Sequence, residues 1–403
     1  MNEKWVCKNL RNREDLKEAT PKKLQHLKTY YLCNENIQVI GTLAAITRNN
    51  MARGRGGGGC KKCLLGTCLY IFVVLLLLFI VVFVIVPVVF KYSVGIQRSL
   101  IFPTWVITPK NYSDIDDFKI KGVKNFYVNL YDNYTTDGAE NIILGVWQIL
   151  PDELLSELID NSDYNFDGIL NNGNYSILLY LHGNGQDRTE SVEIYNVLRK
   201  FFHIFAVDYR GYADSTSAEL TETAIVRDIV EFYKWLSVRT NSKIYVWGHS
   251  LGTGVGTQLI ANLKKDKISS KGLILESPFT SVTDVMMIHP VIKTFSFLPW
   301  FRSTLIEPMI DNGFNFDSAK YILDVDCPIM IVHAKDDTII PHTFANELYN
   351  IAVNNRNWTY QGNVTYHLFD ELNYGHMYIF KAPELPTFVS EFIEECDKFE
   401  KNK

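Results

Sequence analysis

Three residue types that together can cleave an ester occur in this chain in the order serine, aspartate, histidine. Ser250 stands in Gly248-His249-Ser250-Leu251-Gly252, a Gly-x-Ser-x-Gly pattern. A serine hydroxyl is a weak nucleophile until a base takes its proton, and an imidazole base needs a carboxylate to fix its tautomer. Asp337 follows the apolar run "IMIVHA", 87 residues after Ser250, and His376 comes 39 residues later in "FDELNYGHMYIF". Asp336 is the neighbouring acid. Asp337 fits better because it lies four residues past His333 and three before Ile340, the usual frame of such acids. A helix cap is the structural alternative for either aspartate. The chain has nine histidines. His376 alone follows the last apolar run with a glycine before it. His182-Gly183-Asn184-Gly185 closes an earlier run. The backbone N–H groups of Asn184 and Leu251 are the expected donors to an oxyanion, where one donor contributes about 3–4 kcal/mol in the transition state.

These residues need rigid elements beneath them. Apolar runs at 175–185, 201–211, 243–252, 271–279, 327–337 and 364–376 alternate with helix-like stretches such as "TETAIVRDIVEFYKWLSVRT" and "PHTFANELYNIAV". Continuous apolar strands alternating with amphipathic helices predict a parallel sheet covered on both faces. "YVNLYDNY" and "NIILGVWQIL" predict an antiparallel hairpin leading into it. In such sheets ligands sit beyond the carboxyl ends of the strands. Each candidate residue stands at such an end. Gly-x-Ser-x-Gly between a strand and a helix is a nucleophile elbow, in which Gly248 and Gly252 remove side chains that would collide. Residues 281–320 are expected to form a cap, with "MMIHPVIKTFSFLPWFRSTLIEPMI" supplying an aromatic, adaptable surface suited to an acyl chain.

Ahead of this domain, residues 64–90 contain no charge. A helix needs about 20 apolar residues to cross a bilayer, so this run predicts a transmembrane helix. Residues 1–63 read as a cytosolic tail ending in a basic, glycine-rich linker, and they carry 13 Lys/Arg against 5 Asp/Glu. The positive-inside rule then puts the N-terminus in the cytosol and residues 91–403 on the far side. Acceptor sequons at Asn111, Asn133, Asn174, Asn357 and Asn363 all follow the apolar run. Cys60, Cys63 and Cys68 beside the membrane are palmitoylation candidates. The endoplasmic reticulum membrane is the expected location.

Other features lead elsewhere. The formal charge of −5 gives no reason to expect nucleic acid as a partner. Seven cysteines, only two of them after the apolar run, do not make a disulfide framework. Asp163, Asn165 and Asp167 resemble the start of a calcium loop, but Asn174 stands where a bidentate glutamate belongs. No Cys/His spacing is that of a metal site, and serine chemistry needs no metal and no cofactor. Asp208 and Arg210 read as turn-fixing, Ser277 as structural, and His249 as pointing away from the nucleophile.

"LYLHGNG", "DYRGYADS", "WGHSLGTGV", "LILESPFT", "HAKDDTIIP" and "YGHMYIFKAPELP", preceded by one anchor, resemble the membrane-anchored alpha/beta-hydrolase-domain lipases acting on monoacylglycerols and lysophosphatidylserine. The resemblance covers roughly residues 90–400. The tail and the insertion around 152–174 depart from it. It implies an alpha/beta-hydrolase fold with Ser250, Asp337 and His376 as the triad and an active site facing the lumen or exterior. The expected function is therefore acyl-ester hydrolysis of monoacyl lipids through an acyl-enzyme. Two alternatives stand beside it: a non-catalytic hydrolase-fold ectodomain that binds partners, and an acyl-protein thioesterase.

Overall fold

The computed structural model describes residues 61–132, 140–159, 165–370 and 373–401. Cys60, Asn133, Asp163 and almost all of the tail and linker lie outside the described residues. The chain divides into two units, Met1–Ile80 and Val81–Lys403. In the first, Lys61–Ile80 is a helix with Leu69, Phe72, Leu75 and Leu78 all exposed. Leu65–Tyr92 is one helix of 28 residues with a mean hydropathy of 3.6, long and apolar enough to cross a membrane.

The second unit is built on eight strands: β1 Val123–Asp132, β2 Glu140–Ile149, β3 Ile177–Leu181, β4 His203–Val207, β5 Ile244–His249, β6 Gly272–Glu276, β7 Ile329–Ala334 and β8 Val364–Phe369. They form one sheet in the order β1-β2-β4-β3-β5-β6-β7-β8. β1 and β2 form the expected antiparallel hairpin, which joins the sheet through an antiparallel β2–β4 pair. From β4 to β8 every pair is parallel. Every residue of β3–β7 is buried, because helices cover both faces.

Alternation along the strands divides the core in two. Ile177, Leu179, Ile244 and Val246 pack with the helices Glu222–Ser237 and Leu251–Lys265. Leu178, Tyr180, Tyr245 and Trp247 pack on the other face with Val192–Leu198 and Leu385–Lys401. The helices after β3 and β5 therefore leave on opposite faces of neighbouring strands. The winding reverses between β3 and β5, where ligands of such sheets bind, and both the Asn184 loop and the Ser250 turn follow these two strands.

Residues 281–320 form short helical pieces, including Val282–Ile288, Pro290–Lys293, Arg302–Ile306 and Glu307–Asp311. Their apolar residues serve two purposes. Met286, Leu298, Phe301, Leu305, Ile306 and Met309 are buried in the core, whereas Met287, Ile288, Val291 and Phe297 face outward.

Candidate active site

The turn after β5 holds Ser250 at φ 52° and ψ −115°, outside the regions that L-residues prefer. Two glycines make the conformation feasible. A Cβ on Gly248 would lie 2.2 Å from the Gly252 carbonyl oxygen, and one on Gly252 would lie 2.1 Å from the Leu181 oxygen. The turn is also tied to the next strand, since the Ser250 N–H donates to the Glu276 carbonyl at 2.9 Å. Ser250 is the N-cap residue of Leu251–Lys265, yet its side chain makes no capping bond. At the caps Thr221 and Ser281 the hydroxyl accepts a backbone N–H. The Ser250 hydroxyl is thus kept from the usual task of a cap serine.

Asp337 and His376, 39 residues apart, meet at 2.7 Å between Oδ2 and Nδ1. The other carboxylate oxygen accepts the N–H groups of Ile339 and Ile340, each at 2.9 Å. His333 Nε2 lies 3.2 Å from Oδ2 and 2.8 Å from the Ile340 carbonyl, so this nitrogen carries the proton. Burial alone would push the Asp337 carboxyl up. Hydrogen bonds from His333 and His376 outweigh burial and hold it well below the usual carboxylate range. A carboxylate at Oδ2 requires N–H at His376 Nδ1, which leaves the Nε2 lone pair as the basic site.

Asp336 has a separate part. Its two oxygens accept the backbone N–H groups of Asn373 and Gly375, at 2.6 and 2.8 Å. One aspartate holds the ring of His376 and its neighbour holds the approaching backbone.

His249 has contacts beyond the sequence reading. Its ring lies with its centroid 5.0 Å from that of His376, and its Nε2 sits 2.9 Å from the His376 carbonyl oxygen. Its Nδ1 is 3.2 Å from Gln186 Oε1. Burial, followed by the nearby His376, pushes this imidazole down to about 3, so it is neutral with one N–H. The shorter contact claims that proton. Gln186 Oε1 accepts the Gly183 N–H at 2.8 Å, while its amide nitrogen meets Met377 Sδ at 3.3 Å. Gln186 thereby ties the Gly183 turn to Met377, and His249 separately ties the Ser250 turn to the His376 backbone.

Asn184 follows β3 as expected. Its side chain donates to the Ile101 carbonyl at 2.6 Å and accepts from Tyr212 Oη at 2.9 Å. Among the described residues no acceptor takes the backbone N–H of Asn184 or Leu251. Arg188, fully buried, fixes the loop from below. Its backbone N–H donates to Asp208 at 2.6 Å and its guanidinium pairs with Asp208 and Asp214. Its charge also lies 4.1 Å over the Tyr112 ring. Arg210 pairs with Asp228 at 2.6 Å. Asp208 and Arg210 thus have the structural roles read from sequence. Gln186, Arg188 and Tyr212 were not singled out there, because polar residues in a loop carry no periodic signal.

The remaining candidates lie apart. Asn165 caps Phe166–Asn172 through the Gly168 N–H, and Asp167 pairs with Lys124 at 3.4 Å. Asn111, Asn174, Asn357 and Asn363 are all exposed. Cys327 and Cys396 are buried and share no disulfide.

The family model described as alpha/beta hydrolase fold matches residues 176–321, the stretch from β3 through the cap. Lysophosphatidylserine lipase ABHD12 of Mus musculus is 31% identical over 327 residues, covering 80% of each chain. The Bos taurus protein of that name is 32% identical over 319 residues, covering 78% of each. Protein ABHD12B of Homo sapiens is 28% identical over 283 residues, covering 69% of this chain and 75% of its own.

Proposed function

Since the chain belongs to the ABHD12 family of alpha/beta hydrolases, we propose that it is a membrane-anchored serine lipase cleaving the acyl ester of monoacyl lipids. Lysophosphatidylserine and monoacylglycerols are the substrates. The observation that carries this reading is the 2.7 Å pair of Asp337 and His376, together with a strained Ser250 whose hydroxyl caps nothing and whose chain neighbour His249 has its ring 5.0 Å from that of His376.

His376 Nε2 takes the Ser250 Oγ proton as Oγ bonds to the ester carbonyl carbon. The carbonyl oxygen gains the charge and is met by the Leu251 and Asn184 N–H groups. The protonated imidazole is steadied by the Asp337 carboxylate and returns the proton to the departing glycerol oxygen. That leaves the acyl group on Ser250. Water then attacks the acyl-enzyme, with His376 again as base, and free fatty acid departs.

Leu65–Tyr92 anchors the protein, with residues 91–403 in the lumen of the endoplasmic reticulum and carbohydrate on the sequons. The basic tail and the one-sided sequons support that orientation. Fatty-acid release from 1-acyl lysophosphatidylserine by membranes carrying the full chain, against membranes carrying Ser250→Ala, tests the reading. Release by the wild type alone is expected. Equal release from both overturns it. Faster release from monoacylglycerol reorders the two substrates within the same chemistry.

A further inference from the structure

The cap presents an apolar face that the described residues leave largely exposed. Met287 is 41% exposed, Ile288 44%, Val291 60% and Phe297 64%. These residues are continuous with the last turns of the apolar helix. The Phe83 ring lies 5.4 Å from that of Phe295 and 5.5 Å from that of Phe297. The Trp300 indole N–H donates to the Phe83 carbonyl at 3.0 Å. A helix carbonyl can accept this second bond without losing its own ladder partner.

Phe83 sets the level of the cap. Counting about 20 residues for a bilayer crossing from Leu65, where the apolar helix begins, reaches Val84. Phe83 therefore lies at or within the hydrocarbon boundary, even if the helix enters at its first residue. Whatever touches Phe83 shares that depth. Charge agrees with this placement. Residues 81–106 and 286–306 contain no Asp or Glu, and their charged residues are Lys91, Arg98, Lys293 and Arg302. Lys293 and Arg302 are exposed near the apolar face, where lipid phosphates would meet them.

We propose that the cap face formed by Met287, Ile288, Val291 and Phe297 is seated in the leaflet beside the anchor, on the hydrolase side of the membrane. The proposal rests on the reading that Leu65–Tyr92 crosses the bilayer. A seated cap would let a long-chain lipid pass from the leaflet towards Ser250 without its acyl chain entering water. Because the surface is apolar with a cationic rim, its occupant is lipid.

The full chain, reconstituted in phosphatidylcholine vesicles containing a phosphatidylcholine with a diazirine on its acyl chain, tests this. After illumination, lipid adducts are expected on peptides from 65–92 and from 286–302. Adducts on the helix alone overturn the seated cap and leave the anchor standing. Adducts on neither overturn the anchor reading and the cap with it. Cross-linking of the cap to a second copy, without lipid adducts, also overturns the proposal. The double variant Ile288→Ser/Val291→Ser changes exposed residues and leaves the Phe83–Phe297 pair in place. It is expected to hydrolyse a water-soluble short-chain ester at the wild-type rate and to lose about tenfold on a long-chain ester held in vesicles. Equal rates on both substrates contradict the proposal. A wild type inactive on either ester counts against the lipase assignment, whereas the adduct pattern is read without turnover.

Discussion

At Asp337 the two carboxylate oxygens are divided between tasks. Oδ1 is held by two backbone N–H groups, so Oδ2 cannot turn away from His376. Asp337→Asn should keep its carbonyl on those N–H groups and present its amide to His376 Nδ1. The imidazole proton then moves to Nε2, the nitrogen that must be free to act as base. A fall in kcat of about 10⁴ on a soluble ester, with KM little changed, is expected. A fall below tenfold would mean that the pair is structural. Glu276, whose backbone carbonyl receives the Ser250 N–H, tests the site's electrostatics another way. Its carboxyl is buried and accepts the Trp247 indole N–H at 2.8 Å, and burial pushes it up to about 7. A raised carboxyl pKa contributes stability that is fully present below about 4.5 and is lost as pH rises through about 7. For this group the loss amounts to about 3 kcal/mol. Glu276→Gln, which cannot ionise, should show a smaller drop in unfolding midpoint between pH 4.5 and 7.5 than the wild type. Parallel curves would show that Glu276 titrates normally.

The element that matters most is the β5 turn. Its two glycines are closed to any side chain by backbone atoms, which cannot swing aside as a side chain can. Gly252→Ala puts a methyl group against the Leu181 oxygen and should destabilise the domain by about 3 kcal/mol or more, read as a lower unfolding midpoint with loss of activity. A stable, active variant would mean the turn is looser than described. This element was legible in the sequence because its residue types are dictated locally, and so were the parallel strands, the apolar runs of β3–β7 marking full burial. Met286, Leu298 and Phe301 do line the core, but the sequence could not separate them from Val291 and Phe297. Both sets are apolar, and only the helix geometry sorts them. The helix Leu385–Lys401 went unread, although Leu385, Val389, Phe392 and Cys396 mark a buried stripe at helical spacing. Its charged outer face hides that stripe from a search for apolar runs. The links made by Gln186 and His249 join residues far apart in the chain, so no local pattern announces them.

For the whole molecule the proposed orientation is the testable property. Asn111, Asn174, Asn357 and Asn363 are exposed sequons on the hydrolase unit. If that unit is lumenal, glycosidase treatment should lower the apparent mass of the chain, and replacing each asparagine by glutamine should remove one step. An unchanged mass would return the unit to the cytosol. Orientation also decides which leaflet supplies substrate, so it bears on the seated cap as well as on location.

The account depends most on Ser250 being the activated nucleophile. The direct measurement is reaction of the full chain, in its membrane, with a fluorophosphonate probe, followed by mapping of the modified peptide. The adduct should fall on Ser250 and vanish in Ser250→Ala. Asp337→Asn should label far more slowly than the wild type. A folded wild type that takes no label, or one labelled at another serine, would contradict the mechanism.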